Sequence, residues 1–279
     1  MIFPLHSRRS LSLILLFMFS GACVATPEND RKQYLDIFAK NIPGVPVSEY
    51  VHGSMMLSQD AREQFNSIMD FPPFQDSLDR GKTIWNRTFS NGKKLEDCFE
   101  NQGENIAGNY PYYDETTERV ITFEMAINQC LEMNGEMPFK YTDVDTMGAL
   151  TAYARGLSDS MLMNIQITSS GAREKYEKGK EFYFKRIGQY NLACASCHLT
   201  HGGYYFRDEL LSPTIGQAVH FPVFRGGERL YTLQMRYQRC MEAVGATPLE
   251  SGSETLNNLE FFHSYLSNSL PLKSAVYRR

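Results

Sequence analysis

The chain repeats itself, and that repeat narrows its possible folds more than any other feature. Thr122-Phe123-Glu124-Met125-Ala126-Ile127-Asn128-Gln129-Cys130-Leu131-Glu132 lies over Thr232-Leu233-Gln234-Met235-Arg236-Tyr237-Gln238-Arg239-Cys240-Met241-Glu242, with Thr, Met, Cys and Glu coinciding and no gap. Gly135 then falls on Gly245 and Pro138 on Pro248. Upstream, Asn109-Tyr110-Pro111 matches His220-Phe221-Pro222 within one residue of register, and Gly81-Lys82 precedes Cys98 as Gly179-Lys180 precedes Cys194. Downstream, residues 150–158 resemble residues 259–267. Landmarks in one order imply a duplicated unit. Each copy reads as an amphipathic helix (79–87 and 172–186), a cysteine cluster, a Gly/Pro loop, a helix around a lone Cys and a closing helix. Leu256, Leu259, Phe262 and Leu266 fall on one helical face.

This layout predicts a mainly α chain of two tandem small helical domains. The polar stretch 162–171, with Ser169-Ser170-Gly171, places the boundary, so the domains are expected over 76–165 and 166–279. Residues 26–75 contain Pro43, Pro46, Pro72 and Pro73 and are expected to wrap over the first domain as an irregular extension with one short helix. No alternating pattern is strong enough to predict a sheet.

Residues 1–25 read as an export signal: Arg8 and Arg9, an apolar run from Leu11 to Phe19, then the small-residue zone Ser20-Gly21-Ala22-Cys23-Val24-Ala25. The run is too short to span a bilayer. Cleavage after Ala25 gives a soluble periplasmic protein. A lipoprotein cut before Cys23 would want Leu where Ser20 stands, so the soluble reading is preferred. The net charge of −4, from 28 Lys+Arg against 32 Asp+Glu, does not favour a nucleic-acid partner. Removing Cys23 leaves Cys98, Cys130, Cys194, Cys197 and Cys240, an odd number, in a compartment where thiols pair.

Cys194-Ala195-Ser196-Cys197-His198 is the motif that attaches a c-type haem. Two thiols separated by two residues reach the two vinyl groups of one porphyrin, and the following His lies under the iron. A zinc half-site would need a second close Cys or His pair, which is absent, and a redox dithiol has no use for the His. The domains are therefore expected to be cytochrome c-like, with one covalent haem in the second.

The sixth iron ligand is open on these grounds. Met235 or Met241 would make a simple electron-transfer cytochrome, and a vacant site would make a sensory haem protein; Cys240 offers a thiolate instead. In the first copy the motif reads Cys98-Phe99-Glu100-Asn101-Gln102, without the second Cys or the His, so that domain is expected to be degenerate and haem-free. Its Cys98 and Cys130 are candidates for a disulfide across the vacated pocket; two separate buried thiols are the alternative. Arg236 lies one helical turn before Cys240, where the first copy has Ala126. Its guanidinium suits an oxyanion substrate, or else a haem propionate or solvent. Arg225 is read as a propionate or entrance residue. His201, His220 and His263 are read as loop or core histidines, and Lys273, Arg278 and Arg279 as a solvated tail or partner contact.

The set Cys194-Ala195-Ser196-Cys197-His198, His220-Phe221-Pro222, Arg225 and Thr232 to Cys240 closely resembles SoxA, the catalytic cytochrome of the periplasmic sulfur-oxidising system. The resemblance runs roughly from Phe65 to Leu266. It implies an L-cysteine S-thiosulfotransferase that pairs with a SoxX-like cytochrome and joins thiosulfate to a cysteine of a SoxYZ-like carrier. It implies His198 as proximal ligand, Cys240 as a persulfide-modified distal ligand and active-site sulfur, and Arg236 as the substrate-binding arginine. Cys98 to Gln102 depart from two-haem members and resemble the single-haem type.

Overall fold

The computed structural model describes residues 26–206, 209–225, 229–274 and 276–278; the expected signal, Cys23 included, lies outside them, as does Arg279. In chain order, α1 (Pro27–Asn41) leads through a 3₁₀ segment (Val47–Leu57) to α2 (Gln59–Asp70) and α3 (Gln75–Trp85). Strands β1 (Tyr112–Asp114) and β2 (Arg119–Ile121) precede α4 (Phe123–Met133) and α5 (Ala149–Gly156). Then come α6 (Ser170–Phe184), α7 (Cys194–His198), β3 (Tyr205–Phe206), β4 (Glu209–Leu210), β5 (Val223–Arg225), β6 (Arg229–Tyr231), α8 (Leu233–Ala243), α9 (Glu254–Leu266) and β7 (Val276–Tyr277).

Local chemistry sets these elements, and the repeated residues recur in repeated roles. Ser169 caps α6 by accepting the Ala172 N–H at 3.1 Å. Ala172, Tyr176, Gly179 and Tyr183 then fall on its buried face at helical spacing. That face meets α9, and Gly179 is where the two backbones touch: a Cβ there would overlap the Asn258 carbonyl and lie 2.9 Å from Phe262 Cβ. In the first half, α3 meets α5 the same way, a Cβ at Gly81 overlapping the Ala149 carbonyl and lying 2.9 Å from Tyr153 Cβ. Thr122 and Thr232 cap α4 and α8, accepting from Met125 and Met235 at 3.2 and 3.4 Å. Both helices end on left-handed glycines, Gly135 (φ 74°) and Gly245 (φ 71°), whose N–H groups bond the carbonyls of Glu132 and Glu242. Ser158 Oγ accepts from Ala107 N at 3.1 Å, and Ser267 Oγ from Gly216 N at 3.0 Å.

The structure differs from expectation in three places. Short strands do form: β1 and β2 pair antiparallel, β3 pairs β4, and β5 is flanked by antiparallel β6 and parallel β7. Strands of two or three residues are too short to show a period of two. Residues 26–75 are largely helical, and α1 packs on the second half, not the first. Its buried Asp30 accepts from Lys180 Nζ at 2.6 Å and from Tyr176 OH at 3.0 Å, while Tyr34 and Phe38 enter the core with Tyr183 and Phe262. Finally, Arg278 is no solvated tail residue. Strand β7 carries it inward until only 7% of it is exposed.

Between the halves lies a buried charge cluster. Glu124 of α4, Arg155 of α5 and Glu260 of α9 act on one another, and Gln234 Nε2 of α8 donates to Glu260 Oε2 at 2.9 Å. Burial and the Glu124 charge raise the Glu260 carboxyl to about 8, against opposing pulls from Gln234 and Arg155. With two carboxyls to one guanidinium, a proton is retained near neutrality.

Two predictions follow the packing. Gly179→Ala should cost about 1–3 kcal/mol by forcing α6 off α9, measurable by urea unfolding. Because the Glu260 value is raised on folding, its contribution is full below the ordinary carboxyl value of 4.5 and lost as pH rises through about 8. Stability measured at pH 5 and pH 9 should therefore fall further in the native protein than in Glu260→Gln, and equal losses would contradict this.

Candidate functional site

The predicted residues of the second half converge on one cavity of about 1150 Å³. Helix α7 supplies Cys194, Cys197 and His198, and α8 supplies Arg236 and Cys240. Spacing explains the second pair: four residues apart on α8, they project from one face. Arg225 lines the same cavity from the end of β5, held by an ion pair with Glu209.

The His198 ring is oriented from behind. Its Nδ1 lies 2.9 Å from the Ser212 carbonyl, which can only accept, so the proton sits on Nδ1 and Nε2 keeps its lone pair. The Gln217 side chain meets the same Nδ1 at 2.7 Å and Ser212 Oγ at 2.6 Å. The atom at both contacts is the amide nitrogen Nε2, which donates to Ser212 Oγ; exchanging the amide's nitrogen and oxygen, which leaves its shape unchanged, would let the oxygen accept from the His198 N–H. A lone pair held this way is what a metal ligand needs.

The three free thiols differ in their environments. Burial and the nearby Cys240 raise Cys194 to about 12, and the same causes raise Cys197. Burial also opposes ionisation of Cys240, but its neighbours, the Arg236 guanidinium foremost, outweigh it and lower the value. Cys240 is the free thiol biased toward thiolate. Of the methionine candidates, Met241 lines the cavity, and its Sδ accepts the Leu249 N–H at 3.5 Å. Met235 is buried and is not among the described lining residues.

A polar wall escaped the sequence reading. His263 Nε2 donates to the Thr214 carbonyl at 3.1 Å, which leaves Nδ1 to accept from Tyr237 OH at 2.8 Å. Tyr183 OH donates to Thr214 Oγ1 at 2.8 Å. Burial and the nearby His198 lower His263 to about 3, so it is neutral. The one available signal was that His263 stands where the first copy has Ala154, a polar residue gained only beside the Cys-x-x-Cys-His motif.

The corresponding space in the first half is filled. Cys98 and Cys130 form a disulfide with Cα atoms 5.9 Å apart. Trp85 stacks on Phe99 at 5.5 Å, Phe99 meets Phe123 at 5.7 Å, and Leu95, Ile127 and Leu131 close the core around them. A residue with a Cβ at Gly103 (φ 91°) would collide with the Trp85 ring, 2.5 Å from Cζ2.

With this geometry in place, comparisons with known proteins are decisive. The chain is 37% identical over 257 residues to the L-cysteine S-thiosulfotransferase subunit SoxA of Chlorobaculum tepidum, covering 91% of this chain and 89% of that one. The chain belongs to the SoxA family. The Allochromatium vinosum SoxA subunit is 36% identical over 259 residues, 91% of each chain. The crystal structure of SoxXA from P. pantotrophus superposes with a TM-score of 0.70 at 26% identity, covering 78% of this chain and 84% of that one. A family model described as the SoxA/TsdA cytochrome c domain matches residues 80–163. That match falls on the half with the disulfide, so the half lacking Cys-x-x-Cys-His still carries the cytochrome c pattern. The helix-rich, cytochrome c-like fold expected of a SoxA is the one observed.

The disulfide closes a loop with a sequence separation of 32. Replacing Cys98 and Cys130 together by Ala should lower stability by about 3–4 kcal/mol in the chain-entropy model, read by denaturant unfolding. Titration of free thiols in the native non-reduced protein should find neither Cys98 nor Cys130 reactive.

Proposed function

We propose that this chain is the catalytic haem subunit of an L-cysteine S-thiosulfotransferase, conjugating thiosulfate to a cysteine of a SoxYZ-like carrier protein and passing electrons to a SoxX-like c-type cytochrome. One observation carries the reading: Arg236 and the thiolate-biased Cys240 face the same cavity as the Cys-x-x-Cys-His motif. Names of relatives agree, being thiosulfotransferase subunits, and the similar solved structure is of a SoxXA complex.

The donor set suits a single covalent c-type haem. Cys194 and Cys197 would hold it through thioethers, His198 through its free Nε2 and Cys240 through its sulfur. When bound, haem supplies a one-electron redox centre of low dielectric surroundings. In this reading residues 26–75 are an N-terminal extension, residues 76–165 a degenerate cytochrome c-like domain without haem, and residues 166–279 the haem domain. Support for the duplication comes from the paired contacts at Gly81 and Gly179, the paired caps at Thr122 and Thr232 and the paired ends at Gly135 and Gly245. The sequence pattern of residues 1–25 and the disulfide both favour export to the periplasm. No helix among the described residues is long and apolar enough to cross a membrane.

The residues divide the chemistry. Joining thiosulfate to a thiol forms one sulfur–sulfur bond, releases the thiol proton and removes two electrons: R–SH + S₂O₃²⁻ gives R–S–S–SO₃⁻, H⁺ and two electrons. Arg236 binds and orients the thiosulfate oxyanion with paired N–H donors. Cys240, carried as a persulfide, is the active-site sulfur at which sulfur–sulfur exchange takes place, and Arg236 stabilises its anionic form. The electrons leave to the partner cytochrome.

Met241 keeps a second reading in view, a plain electron-transfer cytochrome with His/Met ligation, because it lines the cavity. Electron paramagnetic resonance separates the two. The oxidised, export-matured protein should give a low-spin thiolate-ligated signal that Cys240→Ala abolishes. A His/Met signal indifferent to that substitution would mean electron transfer alone, with no substrate role for Arg236.

A further inference from the structure

Three arginines line the cavity, and two have anionic company: Arg225 pairs with Glu209, and Arg236 acts on the Cys240 sulfur. Arg278 has none. Among the described residues no carboxylate pairs with it, and burial alone pulls its value down to about 9. Its NH1 and NH2 donate to the carbonyls of Tyr277 and Val51 at 3.0 and 3.1 Å, and its Nε–H is buried without a partner. Its guanidinium also lies over the Phe65 ring, 5.6 Å from the centroid. A buried, unneutralised cation is among the costliest arrangements in a protein, and a fold that holds one rigidly presents it to an anion.

The placement is specific. Arg278 is fixed by β7, and its own N–H donates to the Phe224 carbonyl at 2.9 Å. It stands beside Gly53, whose conformation (φ 57°, ψ −135°) belongs to glycine. A Cβ at Gly53 would lie 3.4 Å from both Arg278 Nε and His220 Cε1, so the missing side chain leaves a cradle flanked by both groups. His220 Nδ1 is likewise buried without a partner. Ser212 Cβ, 3.8 Å from the same point, is the third side of the cradle, and the Ser212 carbonyl lies 2.9 Å from His198 Nδ1, so the cradle borders the His198 side of the cavity. On a haem anchored through its vinyl groups, the ionised groups left on the rim are the two propionates.

We infer that Arg278 binds a propionate of the haem through its free Nε–H, at a carboxylate subsite cradled by Gly53 and His220. The inference rests on the haem reading of this cavity. It makes Arg278 a positioning residue that sets the lie of the porphyrin and neutralises charge on its rim, apart from the Arg236–Cys240 pair. The ligand chemistry is an oxyanion, and a free anion such as sulfate is the other source that could supply it.

The test uses export-matured holoprotein and the variants Arg278→Gln and Arg278→Lys. Haem content is read as the pyridine haemochrome, fold by circular dichroism, propionate hydrogen bonding by the propionate-bending band in resonance Raman spectra, and midpoint potential by redox titration. Haem content should be equal in all three. The Raman band should shift in both variants, and the midpoint potential should fall in Arg278→Gln while Arg278→Lys stays near native. A folded, haem-replete Arg278→Gln with band and potential unmoved overturns the inference. If Arg278→Gln does not fold, the Raman band of Arg278→Lys decides alone, since Lys keeps the charge and loses the fork: a shifted band supports the inference and a native one overturns it. Sulfate binding that the native protein shows and both variants lose, with the propionate band the same in all three, assigns Arg278 to a free anion and overturns the propionate. Native protein without haem defeats the underlying reading of the cavity instead.

Discussion

The site depends on a close approach of two helices. Because Gly179 has no side chain, α6 lies directly on the backbone of α9, and a Cβ would not fit between them. This contact fixes the direction in which the chain leaves α6, and hence where α7 delivers Cys194, Cys197 and His198. The closing helix α9 contributes Leu259 and His263 to the same cavity, opposite in sequence but joined through that contact. Helix α8, started by Thr232 and stopped at Gly245, then needs only its own periodicity to aim Arg236 and Cys240 inward. Packing density makes such an arrangement discrete: a cavity this large survives because its walls are held from outside it.

Three thiols in one cavity pose a chemical problem that electrostatics resolves. Sulfurs meant for covalent attachment and a sulfur meant for anionic chemistry must not be interchangeable. Burial raises Cys194 and Cys197, whereas the cations around Cys240 reverse the same burial effect. The protein therefore sets Cys240 apart from Cys194 and Cys197 by neighbouring charge. Neutral His263 and Tyr237 complete the wall without adding a competing charge.

Much of this was legible before the structure. Sequence placed Cys194, Cys197, His198, Arg236 and Cys240 together because local spacing does so: a two-residue gap on a short helix and a four-residue gap on a longer one. The repeat made Cys98 and Cys130 candidates for a disulfide, and they form one. What stayed hidden depends on distant partners. Arg278 looked like a solvated end because the parallel pairing of β7 with β5 joins segments more than fifty residues apart. Gln217 carried no signal of its own, and His263 only its contrast with Ala154, because a histidine's partners are whichever groups tertiary packing supplies. Residues 26–75 were misplaced because prolines mark interruptions without saying which surface the helices between them will cover.

Helix α1 also bears on how such a chain can change over evolutionary time. It lies at the start of the described chain, yet its Asp30 satisfies Lys180 and Tyr176 far along the sequence, and residues within 53–64 form part of the cavity wall. The second half is thus completed by a stretch of chain that precedes the first. A gene fragment beginning at residue 166 would encode Cys194, Cys197, His198, Arg236 and Cys240 and still lack part of the wall around them. Once that dependence was established, the second half could no longer be shuffled into other proteins as a free module.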